Sequence, residues 1–239
     1  MTTLYLLCGL LCDERVWQAQ AASLALEHDV RIVSFLNGED ALAAMAERVL
    51  ADAPASFALA GHSMGGRVAL EVCRRAPGRV ERLALLDTGY EGPAPGEAEK
   101  RAVLVEQARA EGIGAIAAAW GLPMLAPRRR LDPVLTQAVF DMVGRMSPAI
   151  YAAQTRALLA RPDAGEVLRG LACPTLVLCG MQDGWSPPER HLRMAALLPR
   201  APLLRLIDDC GHMAMMEQPL AVLDAMREWL ALPAPREAR

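Results

Sequence analysis

The chain alternates short, unbroken apolar runs with stretches whose apolar residues recur every three or four positions. The unbroken runs are "LYLLCGL" (4–10), "VRIVSF" (30–35), "FALAG" (57–61), "RLALLD" (82–87), "TLVLCG" (175–180) and "LLRLID" (203–208). Continuous rather than alternating hydrophobicity predicts strands buried on both faces, the habit of a parallel sheet. Between them the spacing predicts helices. Leu220, Leu223, Met226, Trp229 and Leu230 share one helix face near the C-terminus. "SPPE" (186–189) predicts a helix start with a serine cap, prolines in the first turn and a returning glutamate. Strand and helix in alternation predict a doubly wound α/β sheet.

The alternation fails between residues 91 and 170. "EGPAPGE" (91–97) reads as a linker, and helical spacing alone follows it. Ile113, Ile116, Ala117 and Trp120 fall on one stripe. Leu135, Ala138, Val139, Met142 and Met146 form a second behind Asp132–Pro133. Tyr151, Thr155, Leu158 and Leu159 form a third behind Ser147–Pro148. The predicted division is therefore an α/β core of residues 1–90 and 171–239, interrupted by an all-helical cap of residues 91–170. The tail "LPAPREAR" (232–239) reads as frayed.

Bulk properties remove several classes of function. Among 239 residues the formal net charge is −3, so no basic field is available to hold nucleic acid or an anionic membrane. No apolar stretch reaches the ~20 residues of a membrane span. The start "MTTLYLLCGLLCDERVW" lacks a basic segment before its apolar run, which argues against a signal peptide. Six scattered cysteines without C-x-x-C pairs and only four histidines give no metal-ligand spacing. The expectation is a soluble cytoplasmic protein with no metal or organic cofactor, acting on a small molecule.

Candidate chemistry concentrates where strands end. In "FALAGHSMGGRVALEV" (57–72) an apolar strand hands over to a helix through one serine flanked by glycines. Ligands bind at the carboxyl ends of strands in such sheets. A sharp turn there lifts the hydroxyl of Ser63 clear, and Gly61 and Gly65 avoid collisions with the neighbouring elements. The helix start also aims free N–H groups at whatever Ser63 attacks. A serine needs a general base held by a third group. His212 follows the last predicted strand, again at a carboxyl end. His28 precedes a strand, His191 lies within a helix, and His62 points away from Ser63 as structure or pocket wall. Asp183 follows strand 175–180 and is the leading candidate for the orienting carboxylate. Asp87, at the end of strand 82–87, is the alternative. Cys12 is a rival nucleophile only with a nearby base, and no second histidine is placed to serve it.

"GHSMGG" at the turn, "GMQD" (180–183) and "CGHMAMMEQP" (210–219), in the order Ser63, Asp183, His212, are similar to the α/β-hydrolase fold superfamily. Within it the chain most resembles small esterases and enol-lactonase-like hydrolases with a helical lid. The resemblance implies a serine hydrolase that cleaves esters or lactones through an acyl-enzyme. It also implies an oxyanion hole made by the backbone N–H groups of Met64 and Leu10. The loop after the first strand departs from the usual His-Gly pattern, with Cys8 where the histidine is expected. Cleavage of a carbon–carbon bond, perhydrolysis, and a low-turnover ligand receptor are compatible with the same three residues. Substrate choice is expected in the helical insertion, with His62, Trp120, Leu122, Met124, Met142, Met146 and Tyr151 as an apolar lining. "RRR" (128–130) is either a grip for a carboxylate or a solvated surface.

Overall fold

A computed structural model describes residues 2–233. The strands are β1 (Thr3–Leu7), β2 (Asp29–Val33), β3 (Phe57–His62), β4 (Val80–Leu86), β5 (Thr175–Gly180) and β6 (Leu203–Ile207). All five pairings are parallel, in the order β2-β1-β3-β4-β5-β6. Each predicted strand is present, and the apolar run 4–10 ends as a strand at Leu7 because residues 8–12 turn away. Both-face burial holds for β1, β3, β5 and the end of β4. It fails for β2 and β6, which are mostly half-buried. These are the edges of the sheet, where one flank has no neighbouring strand.

The helices of the core are α1 (Gln18–Leu24), α2 (Leu42–Ala51) and α3 (Met64–Arg75). Between β4 and β5 the described chain forms helices only: α4 (Glu97–Glu111), α5 (Ala117–Gly121), α6 (Pro133–Gly144), α7 (Pro148–Leu159) and α8 (Gly165–Arg169), with short 3-10 turns between them. After β5 come α9 (Pro188–Leu197), α10 (Ala214–Glu217) and α11 (Pro219–Leu230). Two predicted starts carry the expected caps. Asp132 accepts from the Val134 and Leu135 N–H groups at the head of α6, and Ser147 accepts from Ile150 at the head of α7. The "SPPE" start does not: α9 begins one residue later, behind Pro187, without a side-chain cap. The Ser186 N–H is drawn to Asp183 instead. The expectation of a frayed tail falls almost wholly on residues 234–239, outside the described chain.

The chain leaves β1 for β2 on one side and returns to build β3 to β6 on the other. Loops leaving β1 and β3 therefore diverge, and the crevice between them is the switch point at which ligands bind in open α/β sheets. Leu10 follows β1 and Ser63 follows β3, so both face that crevice. Among the described residues the non-glycine positions with left-handed backbone are Leu11, Ser63, Asp87 and Asp209. Each follows the carboxyl end of a strand, so the strained backbone collects along one edge of the sheet.

Candidate active site

Ser63 sits at φ 52° and ψ −115°, between the last residue of β3 and the first of α3. A non-glycine residue there costs about 1–3 kcal/mol, so the surroundings must enforce it. They do so by close approach: a Cβ on Gly61 would overlap the Gly65 carbonyl, and one on Gly65 would lie 2.7 Å from the Cys8 carbonyl oxygen. The turn lifts Oγ to 2.8 Å from His212 Nε2. His212 Nδ1 lies 2.8 Å from Asp183 Oδ2. Asp183 Oδ1 accepts from the Trp185 and Ser186 N–H groups, each at 2.8 Å. An ionised Asp183 that can only accept makes Nδ1 the protonated nitrogen of His212, which leaves the Nε2 lone pair facing Ser63. Burial by itself raises the Asp183 pKa. His212, the hydrogen bond from its ring and the two amides outweigh burial and hold the carboxyl below its ordinary value.

The loop carrying His212 is pinned from several sides. Its N–H donates to the Met124 carbonyl at 2.6 Å, and its carbonyl lies 2.8 Å from His62 Nε2. A carbonyl only accepts, so His62 carries its proton on Nε2. Burial, then the neighbouring His212, push the His62 pKa down to about 3 and keep the ring neutral. Glu217, a residue that sequence reasoning missed, takes N–H groups from Gly211 and Met213 on one oxygen and from Ala126 on the other. It thereby ties the histidine loop to the helical segment. The signal for it was present: an acidic residue inside an otherwise apolar stretch ("HMAMMEQ").

Asp87 is also buried at this edge, but it does not reach His212. Its oxygens accept from the Gly180 N–H at 2.9 Å and the Ala214 N–H at 3.3 Å. Burial, then repulsion from Asp183, raise its pKa well above the ordinary carboxylate range. Asp87, Cys179 and Asp183 bring donor atoms within 4.8 Å of one another. All of those atoms are already engaged, since the Cys179 thiol donates toward the Gly180 and Ser186 carbonyls. The cluster therefore fits a hydrogen-bonded support better than a cation site. Cys12 is buried and burial raises its thiol far above the ordinary range, which disfavours a thiolate nucleophile. His191 accepts from the Thr88 N–H and is held neutral by burial, its pKa down to about 4.

The Met64 N–H opens α3, where no intrahelical acceptor exists, and the Leu10 N–H makes no hydrogen bond among the described residues. Cys8, in the expected histidine position, turns its thiol to the Asp13 carbonyl at 3.4 Å. The brace for this loop comes from elsewhere. Gln154, buried on α7, accepts from the Leu11 N–H at 2.9 Å and donates to the Phe35 carbonyl at 2.7 Å. Gln154→Leu would leave both backbone groups buried and unpaired, each at about 1–3 kcal/mol. Denaturant unfolding is expected to show a loss of about 2–4 kcal/mol; a loss under about 0.5 kcal/mol contradicts the brace.

Two cavities meet at Ser63, with Trp120, Trp185 and His212 lining both. A chamber of about 30 Å³ is bounded by Leu10, His62, Met124, Trp185 and His212. A larger one of about 850 Å³ also meets Met64, Trp120 and Tyr151. Leu122, Met142 and Met146 line neither cavity. Met142 is buried on α6, which packs against α5 and the turn before it, and Met146 is buried just past the end of α6, so that stripe is core. Arg128, Arg129 and Arg130 also stay out of both cavities. Arg129 pairs with Asp209 at 3.0 Å, and Arg130 donates to the Leu125 carbonyl. Trp185, whose ring lies 6.4 Å from that of His212, was missed because it stands in a loop without periodicity.

The model of the alpha/beta hydrolase family matches residues 7–225. The chain belongs to the alpha/beta hydrolase family. As a member of that family it resembles a thermophilic esterase from Thermogutta terrifontis, at 31% identity over 96% of this chain and 89% of that one, with a TM-score of 0.84. The enol-lactonase from Burkholderia xenovorans LB400 has a TM-score of 0.82 over 97% of this chain and 92% of its own; at 24% identity it speaks for the fold alone. Among curated proteins, the sn-1-specific diacylglycerol lipase ABHD11 of Mus musculus is 26% identical over 183 residues, 72% of this chain and 58% of that protein. A 2-hydroxy-6-oxononadienedioate/2-hydroxy-6-oxononatrienedioate hydrolase of Cupriavidus pinatubonensis is 28% identical, over 66% of this chain and 56% of its own. The matches thus span under three-fifths of these curated relatives. Among the described residues no helix is long and apolar enough to cross a membrane.

Proposed function

We propose that this member of the family is a serine hydrolase that cleaves carboxylic esters or lactones through an acyl-enzyme. The observation that carries the reading is the hydrogen-bonded line from Ser63 through His212 to Asp183, with 2.8 Å at each link. His212 Nε2 takes the hydroxyl proton as Oγ bonds to the carbonyl carbon, and the carbonyl π pair moves onto oxygen. The Met64 and Leu10 amides receive that oxyanion. Collapse breaks the bond to the alkoxy group, which leaves with the proton from His212. Water then attacks the acyl-enzyme, giving a proton to His212, and Ser63 departs with that proton as the acid is released.

Residues 91–170 act as a cap over this site, since Trp120, Met124 and Tyr151 from that segment bound the cavities. Six buried cysteines, all free, suit a reducing compartment such as the cytoplasm. The names of the Thermogutta terrifontis esterase and of the diacylglycerol lipase support ester chemistry, while that of the 2-hydroxy-6-oxononadienedioate hydrolase keeps carbon–carbon bond hydrolysis as the alternative for the same three residues. A water-reachable cavity beside Ser63 favours hydrolysis over mere binding. A fluorophosphonate probe is expected to label Ser63, as located by peptide mass mapping, with stoichiometric loss of p-nitrophenyl ester turnover. Persistent turnover on an unlabelled Ser63, or labelling elsewhere, overturns the reading.

A further inference from the structure

The larger cavity is more cationic than its apolar residues suggest. Arg67, Lys100, Arg101, Arg161 and Arg190 line it, against only Glu91 and Glu97. The two carboxylates do not quench the five cations. Arg161 holds both oxygens of Glu97, at 2.8 and 2.7 Å, and spends its other N–H groups on the Leu158, Glu91 and Gly92 carbonyls. It is therefore saturated and serves as framework. Glu91 answers to Arg190 and Arg193, each at 3.2 Å. Arg101 gives only its Nε to Glu97 and reaches both cavities, including the chamber over Ser63. Lys100 has no ion pair among the described residues.

Arg67 is the telling member. It stands four residues after Ser63, on the same face of α3 and ~6 Å along its axis. Its Nη1 donates to the Glu91 carbonyl, and among the described residues no carboxylate lies within ion-pair distance of it. Burial, then Arg161 and Arg190, lower its pKa to about 9, so its charge is held at a cost. A guanidinium stays protonated at neutral pH, and an incoming anion relieves that cost.

We infer that Arg67, supported by Arg101 and Lys100, is the subsite for a substrate carboxylate, so that the preferred ester or lactone carries a carboxylate about four to six bonds from the scissile carbonyl. The inference rests on the serine-hydrolase reading and adds its substrate class. It also moves the anion grip from the 128–130 run to residues that sequence spacing did not bring together.

The test compares p-nitrophenyl butyrate with the mono-p-nitrophenyl ester of glutaric acid. The kcat/KM ratio is expected to favour the acid by about tenfold or more at low salt and to shrink as salt rises. Arg67→Gln is expected to lower that ratio 10- to 100-fold, about the range for a hydrogen bond to a charged group, and Arg67→Lys to recover part of it. Arg101→Gln, which leaves α3 untouched, should lower the ratio severalfold. An Arg128/Arg129/Arg130-to-Ala variant should leave it unchanged. A ratio near one in the wild type, or one insensitive to Arg67 and Arg101, overturns the inference while neutral-ester turnover keeps the serine-hydrolase reading intact. Calorimetry of glutarate on Ser63→Ala separates the reverse case. Binding lost in the Ser63→Ala/Arg67→Gln variant supports the subsite even if no ester is turned over, and absent binding removes it.

Discussion

Ser63→Ala is expected to lower kcat on a p-nitrophenyl ester by about 10⁴–10⁶-fold while leaving the fold in place. The substitution removes the atom that bonds to the substrate, so no acyl-enzyme can form. The Met64 and Leu10 amides and the cavity remain, and a residual rate above water survives through them. His212→Ala should cost about as much. The double variant should be hardly worse than either single one, because the two groups act as a unit. Ser63→Gly adds a readout of another kind. At φ 52° glycine relieves strain that serine bears, so this inactive variant should be more stable than the wild type by about 1 kcal/mol. Steady-state kinetics and denaturant unfolding measure the two effects. A Ser63→Ala enzyme within about tenfold of the wild type would remove the hydroxyl from the chemistry.

How much of this was legible in the sequence follows from which signals are local. The central strands and the starts of α6 and α7 were readable because continuous apolar runs, Asp132–Pro133 and Ser147–Pro148 act over a few residues. The positions of Ser63, Asp183 and His212 were readable because each follows an apolar run within five residues, and a parallel sheet gathers such ends along one edge. Burial of β2 and β6 was overestimated, since edge position is a property of strand order that no single run encodes. Gln154 escaped notice because it bridges backbone groups of segments far apart in sequence, and Glu217, though marked by its place in an apolar stretch, because its tie to Ala126 is long-range. The cationic cavity escaped for the same reason. Arg67, Arg101 and Arg190 come from three different helices or their approaches, whereas the conspicuous run 128–130 spends itself on Asp209 and Leu125. Met142 and Met146 show the converse: helical spacing marks a buried stripe without saying whether a cavity or another helix covers it.

Asp183→Asn is expected to reduce kcat by about 10⁴-fold with little change in KM, whereas Asp87→Asn should cost less than about tenfold. The two carboxylates lie at the same sheet edge, so composition and position alone do not separate them. Their hydrogen bonds do. An asparagine at 183 keeps the Trp185 and Ser186 amides only by pointing its oxygen at them, which presents its NH₂ to His212 Nδ1. The ring must then accept there and carry its proton on Nε2, where it can no longer take the proton of Ser63. Asparagine at 87 disturbs no atom of that line. It loses one acceptor, for the Gly180 or the Ala214 N–H, at about 1–3 kcal/mol of stability. The pH dependence of stability divides the pair again. Asp183 has a folded pKa below the usual 3.8, so its contribution is complete above that value and fades as pH falls through the folded one. Asparagine there should flatten the acid limb of unfolding. Asp87 is shifted the other way: it favours folding while protonated, and that contribution fades as pH rises through its folded pKa. Kinetics showing the larger loss in Asp87→Asn would reassign the orienting carboxylate to the end of β4.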